Sequence, residues 1–239
     1  MFETDAFSLV VLFVGLSILP FVAMVATSYL KIVVVMSLIR NALGIQSIPP
    51  NMVLNALAMI LTFYIMAPVV GESWGIASAE LAKSRAASAK AAAQPEKSSS
   101  APSATVPRWF ETDAIAKASE PFRAFLSQHT SERERAFFVN TAERLWAKKE
   151  GELATVDHES FYILIPSFCV SELTKAFQIG FLVYLPFIAI DIIVSNILLA
   201  MGMMMVSPVT ISLPFKLLLF VMVNGWTLLI QGLIRGYVI

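Results

Sequence analysis

The chain has 239 residues, of which 57% are hydrophobic and 14% are charged. Soluble domains are nearer half apolar and a quarter charged, so this composition argues against an ordinary soluble globular protein. The 17 basic and 17 acidic residues cancel, which leaves no basic surplus for binding nucleic-acid phosphates. The single cysteine, Cys169, cannot form an internal disulfide.

The charged residues are concentrated in the middle of the chain. Residues 71–160 carry 12 Lys or Arg and 13 Asp or Glu, whereas the rest of the chain carries nine charges. This distribution predicts an N-terminal hydrophobic arm at 1–70, a polar insert at 71–160 and a C-terminal hydrophobic arm at 161–239.

Each arm contains two apolar runs that are long enough to cross a bilayer, which takes about 20 residues. The runs are 7–30 and 51–70 in the first arm, and 177–206 and 209–234 in the second. They predict an all-α membrane protein with four hydrophobic helical segments in two hairpin-like arms. The N-terminus lacks the basic segment of a signal peptide, so we expect the first run to remain in the mature protein.

The orientation follows from the basic residues between the first two runs. Segment 31–50 contains Lys31 and Arg40 and no acidic residue, which predicts a cytoplasmic loop. The N-terminus, the insert and the C-terminus would then lie on the outer side of the membrane.

The insert has two parts of different composition. Residues 76–107 are rich in Ala and Ser and predict a flexible tether. Residues 109–150 predict amphipathic helices, one over 132–150 and a shorter one over 109–127. Ser131 and Glu134 have the spacing of a capping box at the start of the longer helix.

The sequence contains no pattern typical of catalysis. His129 and His158 lack a second ligand at metal spacing, and Walker loops, H-E-x-x-H and G-x-S-x-G are absent. We therefore predict a protein that is not an enzyme and holds no cofactor or metal.

Polar residues inside the apolar arms are candidates for function, because ionisable groups in membrane segments are costly. Asp191, Asn196 and Lys216 are of this kind. Asp191 either faces a pore or another subunit, or makes one hydrogen bond that locks helix packing. Glu172 and Lys175 are three residues apart, so they form an intrahelical ion pair or reach across a subunit interface.

Two further features concern the shape of the arms. Five prolines lie in or beside the apolar runs and predict bent helices, namely Pro20, Pro68, Pro186, Pro208 and Pro214. Four of the six residues from 201 to 206 are methionine. Methionine is flexible and repacks easily, so this segment either fills a bend between helices or lines a pore that must yield.

The motifs of the C-terminal arm resemble the FliP/SctR family of type III secretion export-gate proteins. The resemblance is carried by PSFCVSELTKAFQIGF at 166–181, LPF at 185–187 with Asp191, MMMVSP at 203–208, LPFKL at 213–217 and NGW at 224–226. In the first arm, YLKI at 29–32 and RNALG at 40–44 also fit. The resemblance to the family covers about residues 1–70 and 155–239. Features such as Ser207-Pro208 favour the injectisome branch over the flagellar one.

The resemblance implies a function in protein export. Family members form a pentameric ring, which joins other small membrane proteins in a helical assembly. This assembly is the entrance of a channel through which unfolded polypeptides cross the bacterial inner membrane. Carried over, Met203, Met204 and Met205 would form a gasket around the closed pore. The signature residues expected to support assembly are Pro166, Phe168, Ser171, Glu172, Lys175, Phe177, Gln178 and Gly180.

A small-solute transporter is the main rival hypothesis. Such a protein would show internal repeats with broken helices in corresponding positions. The two arms cannot be aligned with each other, because 7–30 has no counterpart of the 166–181 motif.

Overall fold

The computed structural model describes residues 6–45, 49–92, 116–150, 157–203 and 205–237. Within these ranges the chain forms α-helices joined by turns, with no strand. The helices are α1 (Ala6–Val25), α2 (Tyr29–Ala42), α3 (Asn51–Ala92), α4 (Glu120–His129), α5 (Glu132–Glu150), α6 (Phe161–Ala200), α7 (Pro208–Met222) and α8 (Gly225–Arg235). The predicted all-α class is confirmed.

Two to four segments of the described chain can cross a membrane. Asn51–Glu80 of α3 and the whole of α6 are long and apolar enough by themselves. The pairs α1–α2 and α7–α8 each qualify if they are counted as one bent span, with bends of 55° and 59°. The chain is therefore a membrane protein, as its composition predicted.

The first arm differs from its prediction in one respect. The predicted span 7–30 is interrupted after Val25, and residues 31–42 of the predicted loop 31–50 are helical, because α2 occupies Tyr29–Ala42. At the break the Thr27 hydroxyl donates to the Ala23 carbonyl at 2.6 Å and accepts from the Tyr29 amide at 3.4 Å. Such local side-chain bonds compete with the helical pattern. Lys31 is consequently a buried helical residue and not a loop charge.

The predicted boundary at residue 70 does not exist in the structure. Helix α3 continues to Ala92, so the proposed flexible tether is wrong for residues 76–92. The physical reason is composition: this stretch is dominated by alanine, the best helix former, and contains no Pro or internal Gly after Gly75. Residues 93–107 lie outside the described ranges.

The insert helices agree only in part with their predictions. Helix α5 covers Glu132–Glu150, the predicted range. Helix α4 runs from Glu120 to His129, whereas the prediction was 109–127, whose first seven residues lie outside the described ranges.

The five prolines lie inside helices or at a helix start. Pro20, Pro68, Pro186 and Pro214 lie inside helices, and Pro208 begins α7. Sharp bends separate α1 from α2 and α7 from α8. At the second bend Asn224 has a left-handed backbone with φ +51°. Asparagine tolerates this conformation better than most residues, so it can end one helix and begin the next.

Helix α6 is the centre of the fold and joins the two arms to the insert. Helices α2, α4, α5 and α7 all pack on it, and α2 also packs on α3. The main core lies among α2, α3, α6, α7 and α8, with Ile32, Val35, Met36 and Ile39 of α2 fully buried. A second core connects α3, α4 and α6 around Leu126 and Phe168.

Gly180 allows α2 and α6 to approach closely. A Cβ added to Gly180 would lie 2.3 Å from Leu38 Cδ1 and 3.2 Å from Leu38 Cβ. We expect Gly180→Ala to lower the free energy of unfolding by about 1–3 kcal/mol, the usual cost of overpacking. Thermal unfolding of the purified protein in mild detergent measures this. Leu38→Ala in the same chain should restore part of the loss. Gly232→Ala is the matched control, because its methyl group meets nothing within 4 Å.

Candidate functional site

Four residues of the signature motif lie on one face of α6, and this face is turned toward the rest of the molecule. Phe168, Ser171 and Glu172 are buried, and Lys175 is half-buried. The spacing of i, i+3, i+4 and i+7 places these four residues on one helical stripe. The stripe therefore forms an internal junction and not an exposed surface.

Glu172 is the centre of a buried charge cluster. Its Oε2 lies 3.0 Å from Lys31 Nζ of α2, and its Oε1 lies 3.1 Å from Lys175 Nζ one turn along α6. The Glu172 side chain is 0% exposed and that of Lys31 is 4% exposed. A buried charge without a partner is strongly destabilising, so each of the two buried groups requires the other.

Tyr237 completes the cluster from beyond the end of α8. Its hydroxyl donates a hydrogen bond to Glu172 Oε2. Lys31 Nζ lies 3.5 Å from the centroid of the Tyr237 ring, in cation–π contact. Burial, followed by the negative charge of Glu172, raises the pKa of the Tyr237 phenol, so this group remains a donor. Residues 31, 172 and 237 are thereby joined, although they are far apart in sequence.

The insert is attached to the same face. Lys175 Nζ donates to the His129 carbonyl at 2.7 Å. The Ser131 amide donates to Ser171 Oγ at 2.9 Å. These two bonds fix the turn between α4 and α5 onto the signature helix. The cluster therefore connects the first arm, the insert and the C-terminal arm at one point.

His129 is a buried titratable group at this junction. Its Nδ1 lies 2.9 Å from the Phe125 carbonyl, which can only accept, so Nδ1 carries the proton of the neutral ring. Burial lowers the pKa of His129 below its usual value, the hydrogen bond to the Phe125 carbonyl and the charge of Glu172 oppose this shift, and Lys175 and Lys31 add to it.

We expect stability to fall on mild acidification. A lowered pKa means that the folded protein binds fewer protons than the unfolded chain, so the contribution of His129 is present above about pH 6.5 and is lost as the pH falls through the folded-state pKa. The melting temperature in detergent should drop from pH 7.5 to pH 5.5, and His129→Gln should reduce this drop. The matched control is His158→Gln, which removes a histidine at an exposed position outside the junction.

The hypothesis of an intrahelical Glu172–Lys175 pair is confirmed by the structure. Sequence reasoning missed Lys31 and Tyr237 as the other partners of Glu172. Lys31 was interpreted as a loop charge. A lone lysine beside long apolar runs, however, itself indicates that an acidic residue elsewhere in the fold pairs with it. No local signal identified Tyr237.

A second polar contact joins α6 to α7. Lys216 Nζ lies 2.7 Å from Asp191 Oδ2, and the Ser212 hydroxyl donates to Asp191 Oδ1 at 2.6 Å. Lys216 also donates to the Ala42 carbonyl at the end of α2, at 3.3 Å. Of the two alternatives for Asp191, the structure contains the contact that locks helix packing. Ser195, one turn along α6, is not among its hydrogen-bond partners, and Asn196 is exposed.

The remaining signature residues are divided between buried and exposed positions. Phe168 is fully buried, and its ring centroid lies 5.8 Å from that of Phe125 in the insert. Pro166 is half-buried within α6. Phe177 and Gln178 are exposed, and Phe177 lies on the side of α6 opposite Phe168. Phe177 forms an exposed apolar stripe with Phe181 and Leu185 along α6, and contiguous stripes of this kind typically contact lipid or another chain.

The methionine segment connects α6 to α7 and projects from the fold. Met203 is 43% exposed and Met205 is fully exposed. Met204 lies outside the described ranges. This connector, defined as residues 201–207, does not fill an internal gap at Met203 or Met205, so the interpretation as packing material for a bend does not describe these two residues.

The charged groups of the Glu172 cluster connect helices to one another. Every charge of the Glu172 cluster is paired internally, and the described residues include no group of three His, Cys, Asp or Glu placed to hold a metal ion. Large apolar side chains meanwhile remain exposed along α1, α6 and α7. The fold is that of an all-α membrane protein with buried ion pairs. Many of its large apolar side chains are not buried by contacts within the chain.

The sequence relationships agree with this class. The model of the FliP family matches residues 12–233, and the chain belongs to that family. "Yop proteins translocation protein R" of Yersinia pestis is 47% identical over 233 residues, which are 98% of this chain and 97% of that protein. "Hypersensitivity response secretion protein HrcR" of Ralstonia nicotianae is 43% identical and covers 96% of both chains. "Flagellar biosynthetic protein FliP" of Rhizobium meliloti is 34% identical, covering 93% of this chain and 80% of that protein.

Proposed function

We propose that this chain is a core subunit of the export gate of a virulence-type type III secretion system. The observation that carries the proposal is the 47% identity to a Yop translocation protein over almost the whole of both chains. The injectisome branch is favoured over the flagellar one because the flagellar relative is only 34% identical.

In this proposal the chain acts as one of several identical subunits, five by family resemblance. The exposed apolar side chains of α6 and α7, including Phe177, Phe181 and Phe215, face sister subunits, other small membrane proteins of the apparatus, or lipid. The paired charges of the Glu172 cluster remain inside each subunit and hold its arms in the shape that the assembly requires.

Unfolded polypeptides are the transit substrate, and Met203, Met204 and Met205 form the seal around the closed pore. Exposure of Met203 and Met205 in the single chain supports this role, since side chains that close a pore between subunits must project from each one. Thioether side chains are flexible and polarizable, so they can repack around a passing chain and close again behind it.

Two measurements test the proposal. Native mass in mild detergent, after co-expression with the neighbouring genes, should reveal a multi-copy ring that contains two other membrane proteins. Deletion of the gene should abolish secretion of the exported proteins, and a plasmid copy should restore it. A stable monomer or dimer without partners, or undiminished secretion in the deletion strain, would contradict the proposal and favour a solute transporter.

The proposed location is the bacterial inner membrane, with the N-terminus, the insert and the C-terminus in the periplasm. Because Lys31 is buried in α2, the charge argument for this orientation now depends on Arg40 alone. Glu159→Cys in a Cys169→Ser background places one thiol at an exposed insert position. A membrane-impermeant maleimide should label it from the periplasmic side, and labelling only after cell lysis would reverse the orientation.

A further inference from the structure

The start of the methionine connector is fixed by backbone hydrogen bonds. The Gly202 amide donates to the Leu199 carbonyl at 3.0 Å, and the Met203 amide donates to the Leu198 carbonyl at 2.9 Å. Gly202 has φ +75°, in the left-handed region. This pair of bonds around a left-handed residue is the Schellman motif, which ends α6 and turns the chain in a defined direction.

The constraint at Gly202 concerns backbone conformation and not space. A Cβ added to Gly202 would meet nothing within 4 Å. A side chain would therefore fit sterically, yet an L-residue other than asparagine or aspartate adopts this φ only at a cost. The requirement for glycine comes from the direction that the chain must take after α6.

The far end of the connector is fixed as well. Ser207 is extended, with φ −68° and ψ 118°, and Pro208 occupies the first turn of α7. Proline fixes its own φ and restricts the preceding residue to extended conformations. Between the two ends, the Val206 amide donates to the Met203 carbonyl at 3.5 Å, the long limit for such a bond.

We propose that Gly202 is a positioning residue of the gate, which sets the direction in which the connector leaves α6 and so aims the methionine side chains. In this arrangement the ends of the connector are held by Gly202 and Pro208, while the adaptable part of the seal is the side chains of Met203 and Met205. The inference rests on the proposed function, because it assumes that these methionines close a pore.

The experiment compares Gly202→Asn, Gly202→Val and the parent chain in the assembled complex. Asparagine tolerates the left-handed region, whereas a β-branched residue does not. We expect Gly202→Val to raise the ion conductance of cells or proteoliposomes about tenfold. The reason is that the strain of a left-handed β-branched residue shifts the connector away from the direction that closes the seal. Gly202→Asn should resemble the parent. Gly75→Ala is the matched control, because its methyl group also meets nothing but lies within helix α3.

A second readout reports the direction of the connector without relying on the seal. Spin labels at Asn196→Cys and Met205→Cys, in a Cys169→Ser chain diluted with unlabelled chain, give a distance distribution by pulsed electron paramagnetic resonance. Gly202→Val should broaden or shift this distribution, while Gly202→Asn should preserve it. Native mass of each variant confirms that the complex still assembles.

The outcomes separate the inference from the proposed function. Unchanged distances in Gly202→Val would overturn the inference. It would also be overturned if Gly202→Val changes the distances without raising the conductance, provided that the double substitution Met203→Ala and Met205→Ala does make the complex leaky. If the two methionine substitutions leave conductance unchanged, the seal itself is wrong. The distances then still decide whether Gly202 directs the connector.

Discussion

Replacing Glu172 with glutamine is expected to lower the free energy of unfolding by about 3–5 kcal/mol, the range for breaking a buried ion pair by removing one partner. The substitution keeps the shape of the side chain but leaves Lys31, which is almost completely buried, without a counter-charge. The hydrogen bond from Tyr237 would also lose its charged acceptor. The expected result is a chain that accumulates poorly and melts at a much lower temperature in detergent.

Matched variants separate the charge effect from a general loss of packing. Lys31→Met together with Glu172→Gln should recover part of the lost stability, because the unpaired lysine is then absent. Lys175→Met alone should cost less, since the Lys175 side chain is 40% exposed and water can screen its charge. Glu80→Gln is the control: the lysines paired with Glu80 are largely exposed, and exposed pairs contribute at most about 1 kcal/mol. A Glu172→Gln protein as stable as the parent would show that the Glu172 cluster does not stabilise the fold.

Replacing Met203, Met204 and Met205 with alanine is expected to make the membrane permeable to small ions while export of proteins continues. Three long side chains would be shortened to methyl groups, which opens the proposed seal without altering the wall of the channel. The expected increase in ion conductance is several-fold. Electrical recording on purified complexes in planar bilayers measures it, and secretion assays in the parent strain measure export.

The control for this triple variant is Met222→Ala. Met222 is 73% exposed but lies at the end of α7, outside the connector. Its replacement should not affect conductance, so a leak caused by Met222→Ala would mean that loss of any exposed methionine loosens the complex. An unchanged conductance in the triple variant, with the complex intact by native mass, would exclude the methionine seal.

Some features of the fold could be predicted from the sequence because they depend on neighbouring residues. The all-α membrane class follows from long uncharged runs, since only helices or closed barrels satisfy backbone groups in lipid. Helix α5 follows from the spacing of Phe138, Ala142 and Leu145 after Ser131, and the Glu172–Lys175 pair follows from their separation by three residues.

Other features were misread because composition gives conflicting local signals. The Ala- and Ser-rich stretch 76–92 was interpreted as a tether on its low hydrophobicity, yet alanine has the highest helix propensity and the helix of 51–70 simply continues through it. The interruption between Val25 and Tyr29 falls at Thr27 and Ser28 inside an uncharged run, and a hydropathy window of about 20 residues averages over two such residues.

What the sequence determined by itself is the class of this protein, the concentration of its charges in residues 71–160, and its membership of the FliP family. What only the tertiary structure decided is which distant residues share a site. Lys31, Glu172 and Tyr237 are brought together because a charge removed from water must find its partner wherever the fold permits. Periodicity and spacing report on neighbours along a helix, whereas such contacts depend on how α2, α6 and the residues after α8 pack in space.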